Sequence, residues 1–115
     1  MTQEEKELLL KDLCARLPYG VMLNINGYDR MLMPCHIDLI SIDKIQCKPY
    51  LRPMSSMTEK ERETFNYLCE SRYFYSSNIN GRNYDYYDWL NSNHFDYHDL
   101  IEKGLALEAP EGMYK

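Results

Sequence analysis

The sequence predicts a single α+β domain over residues 1–115, with an N-terminal helix, a two- or three-stranded antiparallel sheet and then three helices. Three observations carry that expectation. A capping box at Thr2 and Glu5 opens an amphipathic run, Asn26-Gly27 sits between β-rich flanks, and a second capping box at Thr58 and Glu61 opens another helical run. A length of 115 residues suits one domain, and 44% hydrophobic with 27% charged residues is the composition of a globular fold rather than a disordered chain.

Taken in order, Leu10, Leu13, Cys14 and Leu17 recur at i, i+3, i+4 and i+7, the spacing of one buried helical face. The first helix is therefore expected from about Gln3 to Arg16, closed by Pro18 and Gly20, with Glu4, Glu5, Lys11 and Asp12 toward solvent. Asn26-Gly27 predicts a type I′ hairpin, because both turn positions need positive φ. In that register Ile25 faces Tyr28, Leu23 faces Arg30 and Val21 faces Leu32, while Met22 and Met31 meet on the other face.

Pro34 has no N–H for a ladder and should interrupt the second strand. Residues 34–45 are ambiguous, with Ile37, Ile40 and Ile42 fitting a strand better than a helical turn. A third strand is expected near Lys44 to Leu51, where Pro49 and Pro53 make it an edge or end it early. From Thr58 a helix should run to about Arg72 with Phe65, Leu68 and Cys69 inward, lying with the first helix on one face of the sheet. The expected core is Leu10, Leu13, Leu17, Val21, Leu23, Phe65, Leu68, Trp89, Leu90, Leu100 and Ile101.

"YDYYDW" (84–89) and "FDYHDL" (95–100) share one pattern: aromatic, Asp, Tyr, any residue, Asp, large apolar. Helix starts explain both copies. Asp85 and Asp96 become N-caps, Asp88 and Asp99 take the third helical position, and Tyr84 with Trp89, like Phe95 with Leu100, form hydrophobic staples. Gly104 would end the second helix, with Lys103 in its last turn. The competing reading is a metal or acid/base site from His94, Asp96, His98 and Asp99. It suffers from geometry: His98 in the first helical turn points away from His94, and no pair of ligands recurs at i and i+4.

Composition narrows the function classes. A net charge of −5 without a Lys/Arg cluster argues against nucleic-acid binding, and is too mild to mark an acidic DNA mimic. There is no run of eighteen apolar residues and the start is acidic, so a cytoplasmic protein without a membrane partner is expected. Cys14, Cys35, Cys47 and Cys69 match no zinc or disulfide spacing, which leaves reduced, mostly buried thiols. Cys35 beside His36 reads as a buried thiol next to a surface imidazole, since adjacent side chains in an extended chain face opposite ways. No Gly-rich phosphate loop is present. No catalytic, cofactor-binding or metal residue is assigned.

What stands out is tyrosine, eleven in all, with Tyr73, Tyr75, Tyr84, Tyr86 and Tyr87 crowded into fifteen residues. Such rings either roof a small core or offer rigid contact area with a polar tip. Tyr87 and His98 occupy the outward second position of the two expected helices. With Tyr73 and Tyr75 they form the candidate interaction surface. Thr58, Asp85, Asp88, Asp96 and Asp99 are the expected structural caps.

The stretches "LLLKDLCARLPYGVM", "KPYLRPMSSMTEKE" and "DWLNSNHFDYHDLIEKGLALEAPEGMY" resemble a group of small proteins encoded by gut bacteroidetes and their prophages. The resemblance implies a phage or mobile-element setting and brings no established activity, so no residue role transfers. The expected function is a non-enzymatic accessory protein that binds another protein, a host factor being one candidate. The alternative is a small metal-binding protein or enzyme using the His94 to Asp99 segment. Oligomeric state is left open.

Overall fold

The computed structural model describes residues 1–75 and 82–114, with side chains described for residues 1–70 and 86–114. The first helix, α1 (Gln3–Arg16), starts where expected: Thr2 Oγ1 accepts the Glu5 N–H at 3.1 Å and the Glu5 carboxylate accepts the Thr2 N–H at 2.8 Å. Its buried face differs. Leu9, Asp12, Leu13 and Arg16 point inward, while Leu10 is half-buried and Cys14 exposed. The face is turned by one position, about 100° of helix, and brings Asp12 inside instead of leaving it in solvent.

The hairpin of β1 (Met22–Ile25) and β2 (Tyr28–Met31) has the predicted register, including Ile25 opposite Tyr28 and Met22 opposite Met31. Asn26 at φ 52° and Gly27 at φ 91° supply the two left-handed positions that the type I′ turn requires. The ladder continues past the strands, since Leu32 N–H donates to the Val21 carbonyl at 2.9 Å.

Residues 34–41 form a helix, α2 (Pro34–Ser41), rather than a strand. Pro34 does not interrupt a strand; it starts a helix, where a missing N–H costs nothing and its fixed φ suits the first turn. Ile40 enters the core. His36 Nδ1 accepts the Met33 N–H at 3.0 Å, satisfying a donor just before the helix.

The third strand, β3 (Cys47–Leu51), is not an edge. The sheet order is β2-β1-β3-β4, with β4 (Leu107–Glu108) parallel to β3. The sheet is thus four-stranded and mixed instead of two- or three-stranded and antiparallel. Pro49, paired with Leu23, is tolerated inside it because the β4 ladder begins only at Tyr50.

After β3, Thr58 and Glu61 form the second predicted capping box, at 3.1 and 2.9 Å, and α3 (Glu59–Tyr75) continues beyond the expected Arg72. It packs on α4 (Arg82–Ser92), not on the sheet, where α1 and α2 supply the helical cover. Phe65 meets Tyr86 and Trp89 at ring separations of 5.8 and 6.2 Å. No third C-terminal helix follows; residues 97–104 are turns.

The core unites Leu9 and Leu13 of α1, Val21, Leu23, Leu51, Ile40 and, from the C-terminal stretch, Leu100, Leu105 and Ala106. Of the expected core, Leu13, Val21, Leu23, Leu90 and Leu100 are fully buried, whereas Leu10, Leu17, Phe65, Leu68, Trp89 and Ile101 are half-buried.

Glu61 also holds the Arg52 fork, at 2.7 and 2.8 Å, and that pairing brings its carboxyl down to about 2. A carboxylate with a lowered folded pKa gives stability that is complete above its ordinary pKa and fades as pH falls toward the folded one. Denaturant titrations from pH 5 to pH 2 should therefore show a loss that Glu61→Gln lacks, about 1 kcal/mol once solvent screening of this rim pair is counted. Identical pH slopes for the two proteins would refute the assignment.

Candidate functional site

Asp12 and Arg16, one helical turn apart on α1, are both fully buried. Burial is costly for each charge alone, so their partners decide whether the arrangement holds. Arg16 donates from Nε and Nη2 to the two Asp12 oxygens, and from Nη2 to the Phe95 carbonyl at 2.7 Å. His98 Nδ1 reaches Asp12 Oδ2 at 2.7 Å. Desolvation alone would raise the Asp12 carboxyl, but the hydrogen bonds from His98 and Arg16 outweigh it and hold the group below its ordinary range. Asp12 is therefore ionised and can only accept, which makes His98 Nδ1 the donor.

This buried network fixes an aromatic surface above it. The Arg16 guanidinium lies 5.1 Å from the Tyr97 ring centroid, and Tyr97 in turn lies 4.4 Å from the His98 ring and 5.7 Å from Tyr87. Tyr87 is 40% exposed and meets Tyr86 edge-on at 5.0 Å. The Tyr97 hydroxyl donates to Asn91 Oδ1 at 2.8 Å. Two of the four residues expected at the interaction surface, Tyr87 and His98, are thus brought to one place with Tyr97 between them, but only Tyr87 faces outward as expected: His98 turns in to Asp12 and its side chain is 24% exposed. The side chains of Tyr73 and Tyr75 lie outside the described residues.

The two matched Asp patterns do not both open helices. Asp85 falls within α4, whose first residue is Arg82, and its side chain and that of Tyr84 lie outside the described residues. Asp88 accepts from the Tyr19 hydroxyl instead of completing a capping box. Asp96 does cap main-chain donors, but those of Leu100 at 2.8 Å and Ile101 at 2.9 Å, not that of Asp99. Asp99, exposed and left-handed at φ 56°, is incompatible with a right-handed helical path there. Trp89 meets Phe95 in a tilted contact with ring centroids 5.6 Å apart.

The residues of the competing metal reading face different partners. His94 stacks on Tyr114 with ring centroids 3.7 Å apart, His98 turns to Asp12, and both Asp96 oxygens are occupied by main-chain N–H groups. Burial, helped by Arg16 and Arg52, lowers the His94 imidazole to about 4, so it is neutral at pH 7. Among the described residues no three His, Cys, Asp or Glu side chains stand close enough to hold a metal ion. The cysteines are free, and only Cys47 is buried, its thiol pushed up to about 11 by desolvation; Cys14 and Cys35 are exposed and Cys69 half-buried, so the expectation of mostly buried thiols fails. His36, beside Cys35, is half-buried and engaged as a cap instead of lying free at the surface.

Sequence reasoning missed Asp12, Arg16, Tyr97 and Tyr114. For the first two a signal was present: Leu9, Asp12, Leu13 and Arg16 have the same i, i+3, i+4, i+7 spacing as the face that was chosen. No protein-family model, curated protein or solved structure matches the chain at a significant level. No helix of the described residues is long and apolar enough to cross a membrane.

Two stability predictions follow from the geometry. Asp12→Ala should cost about 3 to 5 kcal/mol in denaturant unfolding, because the Arg16 charge stays buried without its carboxylate. A loss below 1 kcal/mol would mean the pair is solvated. Asp96→Asn should cost nearly as much as Asp96→Ala, about 1 to 3 kcal/mol, since both carboxylate oxygens accept an N–H and an amide nitrogen cannot replace one of them. An Asn variant as stable as the parent would show that a single oxygen suffices.

Proposed function

We propose that this chain is a non-enzymatic accessory protein that acts by binding another protein through the surface formed by Tyr87, Tyr97 and His98. The observation that carries the reading is the buried Asp12 and Arg16 pair beneath those rings. Rings held by packing and hydrogen bonds lose little conformational entropy on binding, and tyrosine joins apolar area to a polar tip. The His98 and Asp12 pair has the form of a base and its orienting carboxylate, yet among the described residues no hydroxyl or thiol is hydrogen-bonded to His98. That favours recognition over catalysis. The resemblance to prophage-encoded proteins supports a phage or mobile-element setting, with the partner a host factor met in the cytoplasm.

Capture from host lysate tests this. The parent protein should retain a partner that Tyr87→Ala loses at a temperature where circular dichroism shows both proteins folded, since a ring packed on Tyr86 and Tyr97 also contributes to the fold. Metal analysis and melting with chelator should show no bound metal and no shift. Equal recovery by both proteins would sink the surface, and a chelator-sensitive melt would favour the metal-binding alternative.

A further inference from the structure

The sheet protects one edge and leaves the other open. At β4, two paired residues are followed by Ala109 N–H donating to the Leu51 carbonyl at 2.8 Å and by Pro110, which has no donor. At β2, all four residues are exposed, with Tyr28 at 69% and Met31 at 48%. Hydrogen-bonded pairs alternate along an antiparallel ladder, and the Leu32 to Val21 bond fixes the phase. Tyr28, Arg30 and Leu32 direct their main-chain groups at β1. Asp29 and Met31 direct theirs outward. β2 carries no lysine, proline or bulge, and only its four-residue length and the charges of Asp29 and Arg30 blunt the edge.

Beside this edge runs a groove of about 360 Å³ between β2 and α2, lined by Ile25, Tyr28, Arg30, His36, Leu39 and Ile45. Its floor is apolar and its charge is positive. Arg30 has no ion-pair partner among the described residues. Asp29 cannot neutralise it, because Asp29 points to the opposite face and accepts from the Tyr50 hydroxyl at 2.8 Å and from Asn24 Nδ2 at 3.4 Å. His36 Nδ1 accepts the Met33 N–H, so its Nε2 carries a proton and is a donor.

We propose that β2 takes up an extended peptide strand of another protein, antiparallel, with an acidic side chain opposite Arg30 and an apolar one opposite Tyr28. Read along the peptide, the recognised pattern is acidic, any residue, apolar. The residue between them exchanges main-chain hydrogen bonds with Asp29. A second copy of this chain fits worse. Two-fold antiparallel pairing must place one residue opposite its own copy, and the registers with most overlap centre on Asp29 or Arg30, setting like charges against each other.

The test uses the full chain and a capped seven-residue peptide with a Glu-Val-Leu centre flanked by Ser and Thr. Amide shifts in NMR titration should concentrate at Asp29 to Met31 and along α2. N-methylation of the central Val should weaken binding roughly tenfold or more, since it removes the main-chain donor. A Lys-Val-Leu peptide should bind roughly tenfold more weakly, and Arg30→Glu, at an exposed position, should reverse that preference without changing the melt. Tyr87→Ala should leave peptide binding unchanged, which separates this edge from the aromatic surface. The proposal is overturned by absent β2 shifts at millimolar peptide, by equal affinity of the N-methylated or Lys peptide, or by β2 shifts that depend on protein concentration alone, the mark of self-association.

Discussion

The buried Asp12 and Arg16 pair is the constraint around which the rest of the molecule is arranged. Two ions out of water cost several kcal/mol each unless their hydrogen-bonding capacity is filled. Asp12 obtains donors from Arg16 and His98, while Arg16 obtains the two Asp12 oxygens and the Phe95 carbonyl and leaves its buried Nη1 without a partner among the described residues. The second set of partners lies 79 and 86 residues away in the chain. The charges on α1 are therefore compatible with burial only when the segment from Phe95 to His98 lies on that helix. A loop this long costs little more to close than a shorter one, because closure entropy grows only with the logarithm of length. One helical face in this way dictates where residues 95–98 must run.

That dependence explains which parts of the fold were legible. Thr2 with Glu5, Thr58 with Glu61 and Asn26 with Gly27 specify their structures through partners at most three residues apart, and each was read correctly. Asp12 was not, because a charge on an amphipathic helix reads as solvent-facing until its distant partners are known. Pro34 carries two meanings, strand breaker and first helical residue, and the cap that decides between them is the His36 imidazole rather than the expected Ser, Thr or Asp. A strand of two residues such as β4 has no periodicity to read. Asp96 was recognised as a receiver of main-chain donors, but whether those donors open a helix depended on Asp99 taking a left-handed conformation.

The C-terminal segment also completes the sheet. Tyr114 Oη accepts the Met22 N–H at 2.9 Å and donates to the Tyr50 carbonyl at 2.6 Å, so a side chain bridges β1 and β3 where their pairing stops. A phenol can do both only while protonated, and burial holds this one up to about 12. His94 lies flat on the same ring, its left-handed φ of 63° turning the chain toward Arg52, whose N–H donates to the His94 carbonyl at 2.7 Å. The sequence from His94 onward thus seals the β3 and β4 side of the sheet.

Sealing one side has a consequence for the other. In the order β2-β1-β3-β4, β2 is the edge opposite β4, and all four of its residues are exposed. The two candidate surfaces consequently draw on different physics. The Tyr87, Tyr97 and His98 surface rests on buried charges, and its recognition would depend on side-chain shape. The β2 edge offers main-chain groups whose hydrogen bonds are indifferent to sequence, so any selectivity there must come from Arg30 and the groove against α2. On these two proposals, one core would present two independent modes of protein contact.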